Sequence, residues 1–475
     1  MQSCILKSIK KLDAYEDVKV DGLILDVYEL VPDSNVRSIT VKDCIIKHGL
    51  LIKGVEAGAS LFIENCTFES YNGITIEECC FNAVYIKNSK LVAAPDGEIH
   101  YKFMSGIVSN ALVILNSNIQ SIFVIDVNIS IEVSNSSFGA KMHYFPSKLD
   151  GDERSYAFFE NVIFESTQVR LAGAELKEIK FININTDLKQ ESKCHSLEIK
   201  QDFVLELIFQ NANFVDTYID LENVVIRNIE ARSSILGKVF NFYIGNIKEE
   251  TERKVNAISV KNCILGKSYF HGRIIHNSVD FCQTRFNDPP EFYNAEIPHG
   301  SIFPDSSYFN VSGTDSSISA FRALRLHMEE QRNRELEGEF FYLEQKSILK
   351  KEKDSGNINI FRYFYGVISD FGTNAVRPLI IVVLAGLFFS LVYALWLSPK
   401  VSIVLPLDFE LLSRSLHFSV KQITQPFWSL RDLAPLMDKE VKTHPIVYIA
   451  ILQSFISLTC VTLTVLAIRW RFKRG

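Results

Sequence analysis

A short pattern recurs through the first three hundred residues and restricts the fold more than any other feature of the chain. It runs apolar, any, Asn (or an acid), small, any, apolar. Copies stand at Val41 to Ile46 (VKDCII), Ile63 to Phe68 (IENCTF), Ile76 to Phe81 (IEECCF), Ile86 to Leu91 (IKNSKL), Ile114 to Ile119 (ILNSNI) and Val133 to Phe138 (VSNSSF). Others read FENVIF at 159–164, FQNANF at 209–214, LENVVI at 221–226 and VKNCIL at 260–265. Alternate apolar residues place one face of a short strand inward. The Asn turns the chain at a corner, where its side chain can bond to nearby backbone. Stacked passes would set Asn on Asn and small residue on small residue as ladders. This predicts a mainly β domain over 1–312, a degenerate right-handed β-helix, with the polar insertions 94–107 and 141–156 as loops at its corners. A β-sandwich of many short strands is the competing arrangement.

Cys44, Cys66, Cys79 and Cys263 share the small slot of the pattern, which predicts core fillers rather than redox groups. Nine cysteines with no CxxC pair argue against a disulfide framework or a zinc site. Reduced thiols suit a cytosolic compartment. Lys7, Lys10 and Lys11 precede no sustained apolar stretch, so no secretory leader is expected at the N-terminus. A net charge of -6 gives no global reason to expect nucleic acid.

Gly313-Thr314-Asp315 ends the β pattern, with Asp315 or a neighbouring Ser as a helix cap. Residues 318–353 are helical in composition, with Gly338 as a break between two helices. The whole stretch 313–375 is expected to couple the β domain to the membrane. Lys346, Lys350, Lys351 and Lys353 stand close before the first apolar run, where anionic lipid would attract them.

Residues 376–398 and 445–468 are long and apolar enough to cross a bilayer. In the first, Gly386, Ser390 and Ala394 form a small-residue stripe suited to close helix packing. In the second, Gln453, Ser457, Cys460 and Thr464 share a polar face, which points to a partner helix or a pore. Between the spans, Leu412, Leu416 and Val420 give 409–425 an apolar stripe that ends at Pro426. That is the form of a re-entrant pore helix, or of an interfacial helix on the outer leaflet. Arg414, Lys421, Gln422 and Gln425 would line such a pore. Two spans cannot enclose a pore alone, so a homo-oligomer is expected, with four copies the natural number. Ten basic residues between Lys346 and Arg377 and in the tail, against six between the spans, favour cytosolic termini.

Two resemblances follow from particular residues. Phe281 to Phe286, Phe292 to Ile297 and Phe303 to Tyr308 look like pentapeptide repeats, in which a central Phe or Leu stacks along a square β-helix. From 321 onward the chain resembles bacterial inner-membrane proteins that carry such repeats. The matching stretches are Phe321 to Arg325 (FRALR), Phe340 to Lys346 (FYLEQK after the first Phe), Ser369 to Gly372 and Arg377 to Leu379. The resemblance covers roughly 280–475 and implies a two-span, pore-loop plan similar to that of some ion channels. Residues 418–435 hold no Gly, unlike potassium-type filters, so rings of side chains would set any ion preference.

These readings favour an oligomeric channel or pore-forming effector gated by a cytosolic signal or partner that the solenoid senses. A phage-defence effector is one setting that suits the plan. The alternative is a membrane-tethered scaffold whose solenoid binds a protein partner. An enzyme is disfavoured. The acids Glu64, Glu77, Glu132 and Glu160 are scattered singly, Cys194-His195 is an isolated pair, and no Walker loop, GxSxG, HExxH or dinucleotide fingerprint occurs. No catalytic residue, cofactor or metal ligand is assigned.

Overall fold

The computed structural model describes residues 250–397, 409–426 and 445–472 without interruption, and between 5 and 244 the strands and the corners that join them. Several positions named above lie outside the described residues: Lys7, Lys10, Lys11, Cys79 and Cys194, the segments 94–100, 146–154 and 427–444, and Lys473 and Arg474. The chain divides into two compact units, Met1–Asn310 and Val311–Gly475.

The recurring Asn explains the first unit. Asn65, Asn88, Asn116, Asn135, Asn161, Asn183, Asn211 and Asn262 all adopt positive φ, between 48° and 53°. Most side chains are penalised there, and Asn least among those with a Cβ. The turned side chains then bond along the stack. Asn65 Nδ2 donates to Asp43 Oδ1 at 2.8 Å, Asn88 to Asn65 at 3.1 Å, Asn183 to Asn161 at 3.0 Å and Asn211 to Asn183 at 3.2 Å. One residue on, the small slot makes a second, buried ladder. Ser89, Ser117 and Ser136 Oγ accept from the backbone N–H of Cys66, Ser89 and Ser117 respectively. Each rung meets a backbone donor that burial would otherwise leave unpaired.

All strand pairings among the described residues are parallel, which excludes the antiparallel sandwich. One sheet takes up twelve strands in chain order, with Ile39 opposite Leu61, Leu61 opposite Val84 and Val84 opposite Leu112. The second sheet has two rows of partners. One follows the Asn corner directly (Ile45–Ile46, Thr67–Phe68, Lys90–Leu91) and one lies further on (Leu50–Lys53, Ile74–Glu77, Tyr101–Met104). Inward rings stack along the interior: Phe159, Phe181 and Phe209 at 5.1 and 5.3 Å, Phe270 on Phe292 at 4.7 Å, Phe286 on Phe309 at 5.0 Å. Ladder partners stand 19 to 29 residues apart, the variation being absorbed between strands. One interior group is charged. Arg273 is fully buried, donates to the carbonyls of Val224 and Phe242, and lies 3.8 Å from the Phe242 ring centre; burial pushes its pKa down to about 9.

The second unit is helical: α1 (Asp315–Glu330), α2 (Arg334–Asp354), α3 (Ile360–Ser369), α4 (Val376–Leu397), α5 (Phe409–Thr424) and α6 (Pro445–Phe472). Thr314, not Asp315, caps α1, its side chain accepting from Ser317 N. The break between α1 and α2 falls at Arg332, which takes φ 59°. Gly338 lies within α2, where its missing side chain suits a buried contact surface. The hairpin is clamped by Glu344 on α2, buried and paired to Arg322 at 2.8 Å and Arg325 at 3.1 Å on α1.

Candidate functional site

The chemistry of the second unit is concentrated where α4, α5 and α6 meet. Val376–Trp396 and Ile446–Arg469 are long and apolar enough to cross a membrane, and only 33% of each is buried. Their outward faces are mostly apolar: Leu379, Val383, Leu387 and Phe388 on α4, and Leu452, Phe455, Val461 and Val465 on α6, where Tyr448, Thr459 and Thr462 are also exposed. Their inward faces carry the polar groups.

A chain of hydrogen bonds ties the three helices together. Tyr393 OH on α4 donates to Gln453 Oε1 on α6 at 2.7 Å. Gln453 Nε2 donates to Ser419 Oγ at 2.7 Å and to Ser419 O at 3.1 Å on α5. Ser419 Oγ donates back to Gly386 O on α4 at 2.7 Å. Ser454 Oγ donates to Gln422 Oε1 at 2.6 Å. All these side chains are buried, so each bond replaces water that apolar surroundings exclude, where an unmet amide or hydroxyl costs on the order of 2–7 kcal/mol. Phe389, Tyr393, Phe418, Ile446 and Ala450 pack around the chain.

Contact order fixes the direction of α5. Phe418 meets Tyr393 late in α4, whereas Ser419 and Ile423 meet Gly386, the middle of α4. The helix therefore runs antiparallel to α4, and its last turn ends beside the midpoint of that helix. A Cβ on Gly386 would come within 2.8 Å of Ile423 Cδ1, so glycine permits the approach.

The side of α5 that packs is not the apolar stripe expected from its sequence. Ser415, Phe418, Ser419 and Gln422 are buried, while Leu416 and Val420 are exposed and Phe409 is 83% exposed. The reason is the neighbours: Tyr393, Gln453 and Ser454 need polar partners, and only the serine–glutamine side of α5 supplies them. Spacing i, i+4, i+7 at Ser415, Ser419 and Gln422 was the available signal.

The residues singled out from sequence are distributed as follows. Gly386, Ser390 and Ala394 lie on the buried face of α4. Gln453, Ser457 and Cys460 are buried, and Thr464 is half-buried with its hydroxyl donating to Cys460 O at 2.8 Å. Gln422 is buried, Lys421 half-buried, and Arg414 and Gln425 exposed, with Arg414 paired to Glu410. The structure thus buries Gln422 and Gln453 in two separate sets of bonds, Gln453 with Tyr393 and Ser419 and Gln422 with Ser454, and leaves Arg414 and Gln425 outside both. Ser415 Oγ, Gln422 Nε2 and Ser457 Oγ are buried without a hydrogen-bond partner among the described residues. The four lysines have partners within the unit. Lys346 and Lys353 sit over Tyr342 and Tyr363, Lys350 donates to Val311 O at 2.9 Å, and Lys351 pairs with Asp315.

Tyr393 and Ser454 carry no sequence signal, each being a lone Tyr or Ser in an apolar run, whereas Ser419 was signalled only by its spacing with Ser415 and Gln422. Among the described residues, no group of three His, Cys, Asp or Glu side chains is placed to hold a metal ion. No family model, curated protein or solved structure matches the chain.

Proposed function

We propose that the protein is a homo-oligomeric membrane channel of the inner membrane, with α5 as its re-entrant helix and the first unit as a cytosolic β-solenoid that senses a signal or partner. One observation carries the reading: α5 ends beside the midpoint of α4, with its polar side committed to buried groups of α4 and α6. A helix on a water-exposed surface has no reason to bury Ser and Gln while leaving Leu and Val outside. In hydrocarbon that arrangement is the favourable one, because polar side chains must find protein partners. A short helix that enters to mid-depth and must return to Pro445 has the plan of a pore helix. The parallel pairings and Asn ladder support the solenoid, and the stacked Phe residues at 281–309 support its kinship with pentapeptide-repeat membrane proteins.

Ion conduction would be set beyond the last turn of α5, with Lys421 and Gln425 nearest the path, and α1 and α2 link the solenoid to it along the chain. The test is ion flux from liposomes holding the purified protein, compared with Lys421→Glu, which keeps the polar seam. Conduction whose preference between anions and cations shifts in the variant supports the channel. The closed network within one chain favours a second reading, in which the hairpin is a self-sufficient anchor and the solenoid a scaffold for a protein partner. No flux, with or without cell extract as the source of signal, would select it.

A further inference from the structure

The helix α3 has a role that neither spans nor solenoid explain. Its backbone is defined at both ends: Asn359 accepts from Phe361 N and Arg362 N, and Asp370 closes the helix in the left-handed region. Its polar side is committed to α2. Arg362 pairs with Glu352 at 3.2 Å and donates to Gln345 at 3.2 Å, and Lys353 sits over Tyr363. A second contact pins it from the side, since the Phe371 ring lies within 2.7 Å of where a Cβ on Gly366 would stand.

The opposite side is apolar and open. Ile360 is 65% exposed, Phe361 87%, Phe364 54% and Val367 51%. These residues fall at i, i+1, i+4 and i+7, so they form one face. The exposed apolar surface resumes at Val376, Leu379 and Ile380, where α4 begins, and Arg377 pairs with Asp370 between the two helices. An apolar, aromatic face held against the entry of an apolar span, with its charged pairs on the other side, matches the headgroup–acyl boundary of a bilayer.

We infer that α3 is an interfacial helix, lying in the boundary between headgroups and acyl chains with Phe361 and Phe364 in the hydrocarbon. The inference rests on the membrane reading given above. Its occupant is lipid rather than a second protein, because the helix that directly follows is the candidate span α4, whose outward side is exposed and apolar as well. It also gives α2 a fixed depth, since Arg362 and Lys353 hold α2 to a helix that floats at the surface.

The test uses the full chain in phosphatidylcholine–phosphatidylglycerol vesicles, with Trp396, Trp428 and Trp470 replaced by Phe and one Trp introduced. Phe364→Trp reports on α3, and Phe388→Trp, on the outward face of α4, reports on the span. Acyl-brominated lipid should remove about half or more of the emission of both. Aqueous iodide should leave both largely unquenched. Quenching at position 388 but iodide access at 364 would overturn the interfacial assignment while leaving the span intact. Protection of 364 from both quenchers would overturn it too, placing a protein surface there. Absence of bromolipid quenching at 388 would sink the membrane reading itself. A Phe361→Trp variant repeats the measurement where Phe364→Trp fails to fold.

Discussion

The two units solve the burial of polar groups in opposite ways. In the first, the interior is mostly Phe, Ile, Leu and Val, its buried serines meet backbone N–H groups, and the amides of the Asn ladder run along exposed corners where water also reaches them. In the second, Gln453, Ser419 and Gln422 occupy the interior while Leu, Phe and Val point outward. The solvent decides which order is stable. Water rewards burial of apolar area, at about 25 cal/mol per Å². Lipid gives no such reward, so helices there are held by close packing and by hydrogen bonds between them. The contrast teaches that a buried Ser in the first unit meets backbone along the sheet, whereas a buried Ser or Gln in the second fastens one helix to another.

The strongest way to break this comparison is Gly386→Leu. The new side chain would push Ile423 and α5 away from α4, parting Ser419 from Gly386 O and straining the bonds to Gln453. Limited proteolysis in detergent should then cut within 409–426 about tenfold faster or more, as local opening replaces a closed state worth upwards of 1.4 kcal/mol. Unchanged protection would mean that the polar seam does not hold α5.

In the first unit the largest single effect is expected from Phe209→Ala, a ring stacked on Phe181 and met edge-on by Phe214. A loss of about 3–5 kcal/mol should appear as a lower urea midpoint. A change below 1 kcal/mol, by the same scale, would mean that the rings do not pack as a column.

Asn183→Ala should cost less, about 1–2 kcal/mol, because it places an ordinary side chain in the left-handed region and removes two rungs. Asn183→Gly separates the terms, restoring the backbone freedom but not the bonds. Equal losses in both variants would assign the whole effect to the ladder.

The smallest expected effect concerns thiols. Burial raises the pKa of Cys263 to about 11, and a hydrogen bond with Cys44, together with burial, raises that of Cys66, so near pH 8 both are protonated as well as inaccessible, whereas Cys282 is exposed. The thiolate is the reactive form, so alkylation at pH 8 mapped by mass spectrometry should modify Cys282 and spare Cys44, Cys66 and Cys263 until denaturant is added. Raising the pH toward 11 should increase the rate at Cys263 if access allows. Rapid labelling of Cys66 in the native protein would contradict its place in the buried ladder.

Much of the β architecture was legible because it depends on a local rule. Asn at a corner and a small residue after it specify both the turn and the ladder, and Cys44, Cys66 and Cys263 stand where that rule put them. The copies that escaped break the rule at one slot or two, Thr186 also standing where an apolar residue would end the copy around Asn183. Ile184 fills the small position after Asn183, and Ser233 replaces Asn while still taking φ 50°. Two copies sit on the other wall, IEECCF after Ile74–Glu77 and LENVVI after Thr217–Asp220, since the same alternation serves either sheet. The helical breaks were harder to place, because Arg332 carries no composition signal for positive φ and Gly338 carries a misleading one. In the candidate site the participants were visible, but not which side of α5 faced inward. That depends on what α4 and α6 need, which is a property of three segments together.

The ladder has one further consequence. Rungs that are chemically alike carry no address: an Asn arriving at the growing stack can bond to the rung it belongs on or to that rung's neighbour with nearly the same satisfaction. What tells one storey from the next must come from elsewhere in each pass, from the volume of the ring it adds to the column and from the odd rungs, Asp43, Ser233 and Gln283, that interrupt the Asn series. The irregularity that makes the repeats hard to read is then what lets the chain count its own turns.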